Sequence, residues 1–266
     1  MRRLSVSLLA APVLAALFLA PPTASAAEQC QYQAPRKLHL DLAGVRQLQV
    51  QVNSHDLHVT GSPSATALDL DGRACASDAS LLDGLQVKQH REGDQLIIEL
   101  VDNNHGFHLF GHSYSDLYVN IQLPAGLPVT VDVGSGDAQA TGLGQLASQV
   151  GSGDLHASHI AGDFSASVGS GDVVASDIGS LNVGAIGSGD LKASDIRGDA
   201  KIGSIGSGDV VLAGVGGSVH AQTLGSGDLS VKDVHGDFSL GAKGSGDVKH
   251  SGIGGKISVP HDGDDD

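Results

Sequence analysis

Val150-Gly151-Ser152-Gly153-Asp154-Leu155-His156-Ala157-Ser158-His159-Ile160-Ala161-Gly162-Asp163 is followed, 18 residues on, by Val168-Gly169-Ser170-Gly171-Asp172-Val173-Val174-Ala175-Ser176-Asp177-Ile178. The two stretches share a glycine-rich corner, an acidic residue, and then apolar residues in a two-residue alternation, the period of a strand with one buried face. The corner Gly-Ser-Gly-Asp occurs seven times, starting at Gly134, Gly151, Gly169, Gly187, Gly206, Gly225 and Gly244, with steps of 17, 18, 18, 19, 19 and 19 residues. The residue after each corner is Ala138, Leu155, Val173, Leu191, Val210, Leu229 or Val248. Five residues further on stand Leu143, Ile160, Ile178, Ile196, Val215, Val234 and Ile253. A second corner falls half a repeat later, as at Gly162-Asp163, Gly198-Asp199 and Gly236-Asp237.

A unit of this length cannot bury its own apolar face, but stacking each on the next makes continuous aliphatic columns. The spacing therefore predicts an all-β, single-stranded β-helix or β-solenoid with coils of 17–19 residues, its handedness left open. At an inter-strand spacing of about 4.8 Å, seven coils give a rod of about 34 Å. An antiparallel meander or sandwich is the alternative, since it too uses half-repeats joined by Gly-Asp turns. It does not require every full unit to keep one register.

Composition agrees with a stack built from small residues. The 266-residue chain has 38 Gly, 5 Phe, 3 Tyr and no Trp, and 15 Lys plus Arg against 30 Asp plus Glu. The formal charge of -15 argues against phosphate-backbone binding, so no nucleic acid partner is expected. Met1-Arg2-Arg3, the apolar run to Ala20 and the small-residue exit to Ala27 read as a signal peptide over residues 1–27. Its removal leaves no transmembrane segment in the mature chain. The expected location is exported: periplasmic, outer-envelope associated or secreted. In such a compartment Cys30 and Cys75 are expected to form a disulfide.

Residues 28–127 carry less periodic strands, including Leu48-Gln49-Val50-Gln51-Val52 and Leu117-Tyr118-Val119-Asn120-Ile121, and are expected to continue into the solenoid. Asn53-Ser54-His55-Asp56-Leu57 reads as a degenerate corner. The regular repeats occupy 128–260, and 261–266 form an acidic tail.

The serial Gly-Ser-Gly-Asp corners followed by Leu or Val, with the lead-in Leu123-Pro124-Ala125-Gly126-Leu127-Pro128-Val129, resemble the bacterial "putative adhesin" domains of unknown function, including the head domain of auto-transporter adhesins. The resemblance covers residues 117–259 and extends back to about 36. It implies an exported β-helical protein of the cell envelope and brings no catalytic residue set.

Two sets of residues are candidate metal ligands. Asp137, Asp154, Asp172, Asp190, Asp209, Asp228 and Asp247 would stack along one edge. Such carboxylates either accept backbone N–H bonds within their own turns or hold a cation such as Ca²⁺. His105, His108 and His112 form the second set, for which Zn²⁺ is the natural occupant. Around them Phe107, Phe110, Tyr114 and Tyr118 make the most aromatic patch, a candidate ligand-contact surface. No cofactor is required. An enzyme is not expected, because a repeat gives no carboxylate pair the distinct environments that acid and base roles need. The expected function is an exported, non-enzymatic structural or adhesin-like interaction protein whose partner is an envelope protein or glycan, of open oligomeric state. The alternatives are a divalent-cation-binding solenoid and an extracellular polysaccharide-degrading enzyme.

Overall fold

The computed structural model describes residues 30–104 and 113–260. Its regular part is a stack of parallel coils. The strands are β8 (Val129–Val133), β9 (Asp137–Thr141), β10 (Leu146–Val150), β11 (Asp154–Val168), β12 (Val173–Ile186), β13 (Leu191–Ile196), β14 (Ala200–Ile205), β15 (Val210–Val215), β16 (Val219–Leu224), β17 (Leu229–Val234), β18 (Phe238–Lys243), β19 (Val248–Ile253) and β20 (Ile257–Ser258). Strands one repeat apart pair in parallel with matching register: Leu155 opposite Val173, Val173 opposite Leu191, Leu191 opposite Val210. A meander would pair successive strands antiparallel, so the solenoid reading holds and the meander does not.

Two sheets result. We call sheet A the ladder of strands that follow the Gly-Ser-Gly-Asp corners, β9, the first half of β11, the first half of β12, β13, β15, β17 and β19. Sheet B contains β8, β10, the second halves of β11 and β12, β14, β16, β18 and β20. The core lies between them. Leu155, Val173, Leu191, Val210 and Leu229 point inward from sheet A, and Leu146, Phe164, Leu181, Val219 and Phe238 are buried on sheet B.

The second glycine of each corner follows from this stacking. A Cβ on Gly153, Gly171, Gly189, Gly208, Gly227 or Gly246 would lie inside the van der Waals shell of the preceding coil's glycine carbonyl oxygen. The close approach is held by backbone bonds: Ser152 N donates to Gly134 O at 2.7 Å and Gly153 N to the same oxygen at 3.1 Å. The half corner has a different demand. His159, Asp177, Asp195 and Asp233 sit there at φ of 54°, 51°, 55° and 53°, and Gly214 and Gly252 at 68°. Only Gly and small or polar side chains tolerate that left-handed conformation readily, which accounts for the residue types in this column.

The N-terminal part closes one end of the stack through strands β1 (Tyr32–Leu40), β2 (Gln47–Asn53), β3 (Asp56–Ser62), β4 (Leu68–Ala76), β5 (Leu85–Glu92), β6 (Gln95–Asp102) and β7 (Ser115–Pro124). β2 and β3 form a coil that stacks in parallel on β8 and β9. The next coil outward, β6 and β7, comes later in sequence and pairs in parallel with β2 and β3. The chain therefore lays one coil, steps outside it, lays another, and then crosses back to continue on the other side. Pro124–Val129 makes that crossing: Ala125 N donates to Ser62 O and Gly144 N donates to Ala125 O.

The outer edges are finished with antiparallel strands. β4 pairs with β7, β1 with β4, and β5 with β6. The Cys30–Cys75 disulfide, with Cα atoms 5.4 Å apart, fastens the start of β1 to β4. Arg36 donates to Leu85 O and Leu82 O, tying β1 to the 3-10 turn Ala79–Gly84 and the start of β5. Among the described residues, no helix is long and apolar enough to cross a membrane.

Candidate functional site

The aspartates do stack, one per coil, on the edge where sheet B turns into sheet A. Their hydrogen bonds differ from the own-turn pattern expected from sequence. Asp154 Oδ1 accepts from Asp172 N at 3.2 Å, Asp172 from Asp190 N, Asp190 from Asp209 N at 2.9 Å, Asp209 from Asp228 N, and Asp228 from Asp247 N. Each of these five carboxylates satisfies the amide of the next coil. The reason is geometric: within the corner, the Ser and second Gly amides already donate to the coil before, leaving the Asp amide to be met by a side chain. The series also starts one coil earlier than the repeat shows. Asp56, in the degenerate corner Asn53-Ser54-His55-Asp56, stands beside Asp137 of the next coil, close enough to feel its amide and its carboxylate. Burial, with the Asp137 carboxylate beside it, pushes Asp56 above the ordinary carboxylate range.

That same corner places His55 where the Gly-Ser-Gly-Asp corners of the regular stack have their second glycine. His55 is 1% exposed, its Nδ1 accepts from Leu117 N at 3.3 Å, and its Nε2 meets no hydrogen-bond partner among the described residues. Burial holds the imidazole below its ordinary pKa, against the opposing pull of Asp102, Asp116 and Asp56.

His105, His108, His112, Phe107 and Phe110 lie outside the described residues. Among the described residues, no group of three or more His, Cys, Asp or Glu side chains is arranged to hold a metal ion. The two tyrosines of the aromatic patch go to different places. Tyr114 fastens the cap, its hydroxyl accepting from Gln31 N and its amide donating to Ser77 Oγ. Tyr118 stands on the outer face of β7, with the Arg73 guanidinium 4.8 Å from its ring centroid.

Tyr118 and Arg73 belong to a groove of about 690 Å³ on the outer face of sheet A, where the cap meets the stack. β4, β7, β3, β9 and β11 contribute to it, with Asp56, His58, Asn120, Asp137, Gln139 and His156 among its lining side chains. The sequence reading found Tyr118 as an aromatic but missed its neighbours. Arg73 reaches it only through the antiparallel pairing of β4 with β7, and Asp56 through the parallel pairing of β3 with β7. The faint signal was the degenerate corner, which marks β3 as a coil strand.

Comparison with known proteins gives the following. A search of curated proteins found no match. Among solved structures, the chain is similar to a putative cell adhesion protein from Clostridium sporogenes at 11% identity and a TM-score of 0.32, covering 86% of this chain and 100% of that one. It is similar to a "putative lipid binding protein" from Parabacteroides distasonis at 15% identity and a TM-score of 0.41, covering 87% and 98%. A "putative adhesin" from the same organism has 14% identity and a TM-score of 0.43, covering 85% and 97%. The profile of the Toastrack DUF4097 family matches residues 45–253, which takes in the β2–β3 coil, the β6–β7 coil and the stack through β19. By that match over more than half its length, the chain belongs to the Toastrack DUF4097 family.

Proposed function

We propose that this chain is an exported, non-enzymatic interaction protein of the cell envelope, adhesin-like in the manner of the auto-transporter head domains its Gly-Ser-Gly-Asp corners resemble. Its basic and apolar start, residues 1–27, acts as the export signal. The rigid stack holds the outer face of the cap junction toward an envelope glycan or protein. The observation that supports this reading is the distribution of aromatic surface. Among the described residues, Phe164 and Phe238 of the stack are fully buried, whereas Tyr32, Tyr114 and Tyr118 all lie in the N-terminal part, Tyr118 within a groove. Recognition surfaces use such aromatics because they supply large contact area at low entropic cost.

The test is binding of the purified, labelled mature chain to isolated bacterial envelopes, with the products assayed for newly formed sugar ends. Saturable retention without new ends is the expected result. Retention that rises linearly with protein, or accumulation of cleaved glycan, would contradict it.

A further inference from the structure

We infer that the groove at the cap junction binds an extended, uncharged β-linked glycan laid along the axis of the stack, an inference that rests on the interaction-protein reading and names its ligand class. The sheet supplies the periodicity. Side chains at matched register on neighbouring strands form rows that run across the strands, spaced at about 4.8 Å. One row is Asp71, Asn120, His58, Gln139 and His156, each directly opposite the next. All five are exposed and can exchange hydrogen bonds with hydroxyl groups. An extended chain of β-linked hexoses advances by nearly the same distance per sugar, so one row offers one polar side chain to each successive ring.

The neighbouring row begins Arg73, Tyr118 and Asp56. Arg73 stacked on Tyr118 makes a flat platform of the kind on which the C–H face of a sugar packs. Charge excludes the other polymers. Next to the groove, Lys37 is paired with Asp71 at 3.4 Å and His39 with Asp69 at 2.6 Å. Within it, a polyanion would meet the Asp56 and Asp137 carboxylates, and a polycation would meet Arg73. The row is bounded at both ends, by Lys37 of β1, which stands opposite Asp71 and is ion-paired with it, and by Val174, an apolar side chain 39% exposed opposite His156, so the track between them spans five strands and accommodates about five sugars.

The experiment is calorimetric titration of the mature chain with neutral β-linked oligomers of glucose, mannose and N-acetylglucosamine, two to seven units long, and with oligogalacturonate of matching length. At least one neutral series should bind, with Kd falling tenfold or more from the dimer to the pentamer and levelling beyond it. Oligogalacturonate should bind at least tenfold more weakly. Tyr118→Ala and the double variant Asn120→Ala/Gln139→Ala should each weaken the pentamer tenfold or more with unchanged thermal melts, and Gln139→Ala alone, on an exposed position, serves if either variant melts early. Binding to no neutral series, affinity independent of length, tighter binding of oligogalacturonate, or groove variants that fold and bind like the parent would each overturn the inference. If envelope binding persists in any of those cases, the interaction-protein reading stands with a different ligand; if envelope binding is absent as well, both fall.

Discussion

Gly189 and Asp56 show how much of this protein is decided by single side chains. At Gly189 a Cβ would press on the Gly171 carbonyl oxygen one coil below, and that oxygen belongs to backbone that the stack holds fixed. Gly189→Ala should therefore cost several kcal/mol, on the order of other overpacking defects, while Ser188→Ala in the same exposed corner should be near neutral; denaturant midpoints compare them. Asp56 makes a different prediction. Its folded-state pKa is raised above the ordinary carboxylate value, so folding disfavours its ionised form, and its contribution is present in acid and lost as pH rises through the folded pKa. Asp56→Asn keeps an oxygen beside the Asp137 amide without the charge. It should stabilise the protein near neutral pH, with the gain vanishing below about pH 4, as melts across pH would report. A third residue is mismatched to its place. Ser148 is 5% exposed in an inward column between Val131 and Ala166, and its hydroxyl has no hydrogen-bond partner among the described residues. Ser148→Ala should raise stability by about 1 kcal/mol, since an unsatisfied buried hydroxyl costs at least that much.

The strands divide into those that the sequence announces and those it does not. β13 to β19 repeat the same inward positions at fixed spacing, so Leu191, Val210 and Leu229 could be aligned before any coordinate was known. The Asp column was equally legible, though its hydrogen bonds were not, because a turn read in isolation offers its own amides and only the stack brings the next coil's amide within reach. The cap was the least legible element. Its strands β1, β4 and β5 pair antiparallel across sequence gaps with no repeating unit, and nothing in Leu68–Ala76 marks it as the partner of Ser115–Pro124. The disulfide was the exception, as a chain with two cysteines leaves one internal pairing. Its removal should act on the cap: Cys30→Ser/Cys75→Ser is expected to lower stability by about 2–4 kcal/mol. Amide exchange should quicken first in β1, which among the described strands pairs with β4 alone. Uniformly faster exchange through the stack would mean that cap and stack unfold as one.

Across the whole molecule, regular coils and an out-of-order cap share one continuous pair of sheets. The coil β2–β3 is enclosed between β6–β7, which follows it in sequence, and β8–β9, which follows both. That arrangement brings Arg73, Tyr118 and Asp56 to one surface from three separate segments, which is why the groove could not be read from any local motif. It also separates the roles of the two parts: the repeats supply length and stiffness, and the junction supplies chemical variety. The central claim is that the repeat is a unit of stacking, each coil resting on the one before in a single register. Removing one whole coil, residues 206–224, joins Ile205 to Gly225 and restores the corner sequence, whereas removing half a coil, residues 206–214, puts a sheet B strand where sheet A is required. Thermal melting followed by circular dichroism compares the two deletions directly. The whole-coil variant should keep its β signal and melt cooperatively somewhat below the parent, and the half-coil variant should lose the stack beyond the cut; equal damage from both deletions would contradict the stacked-coil account.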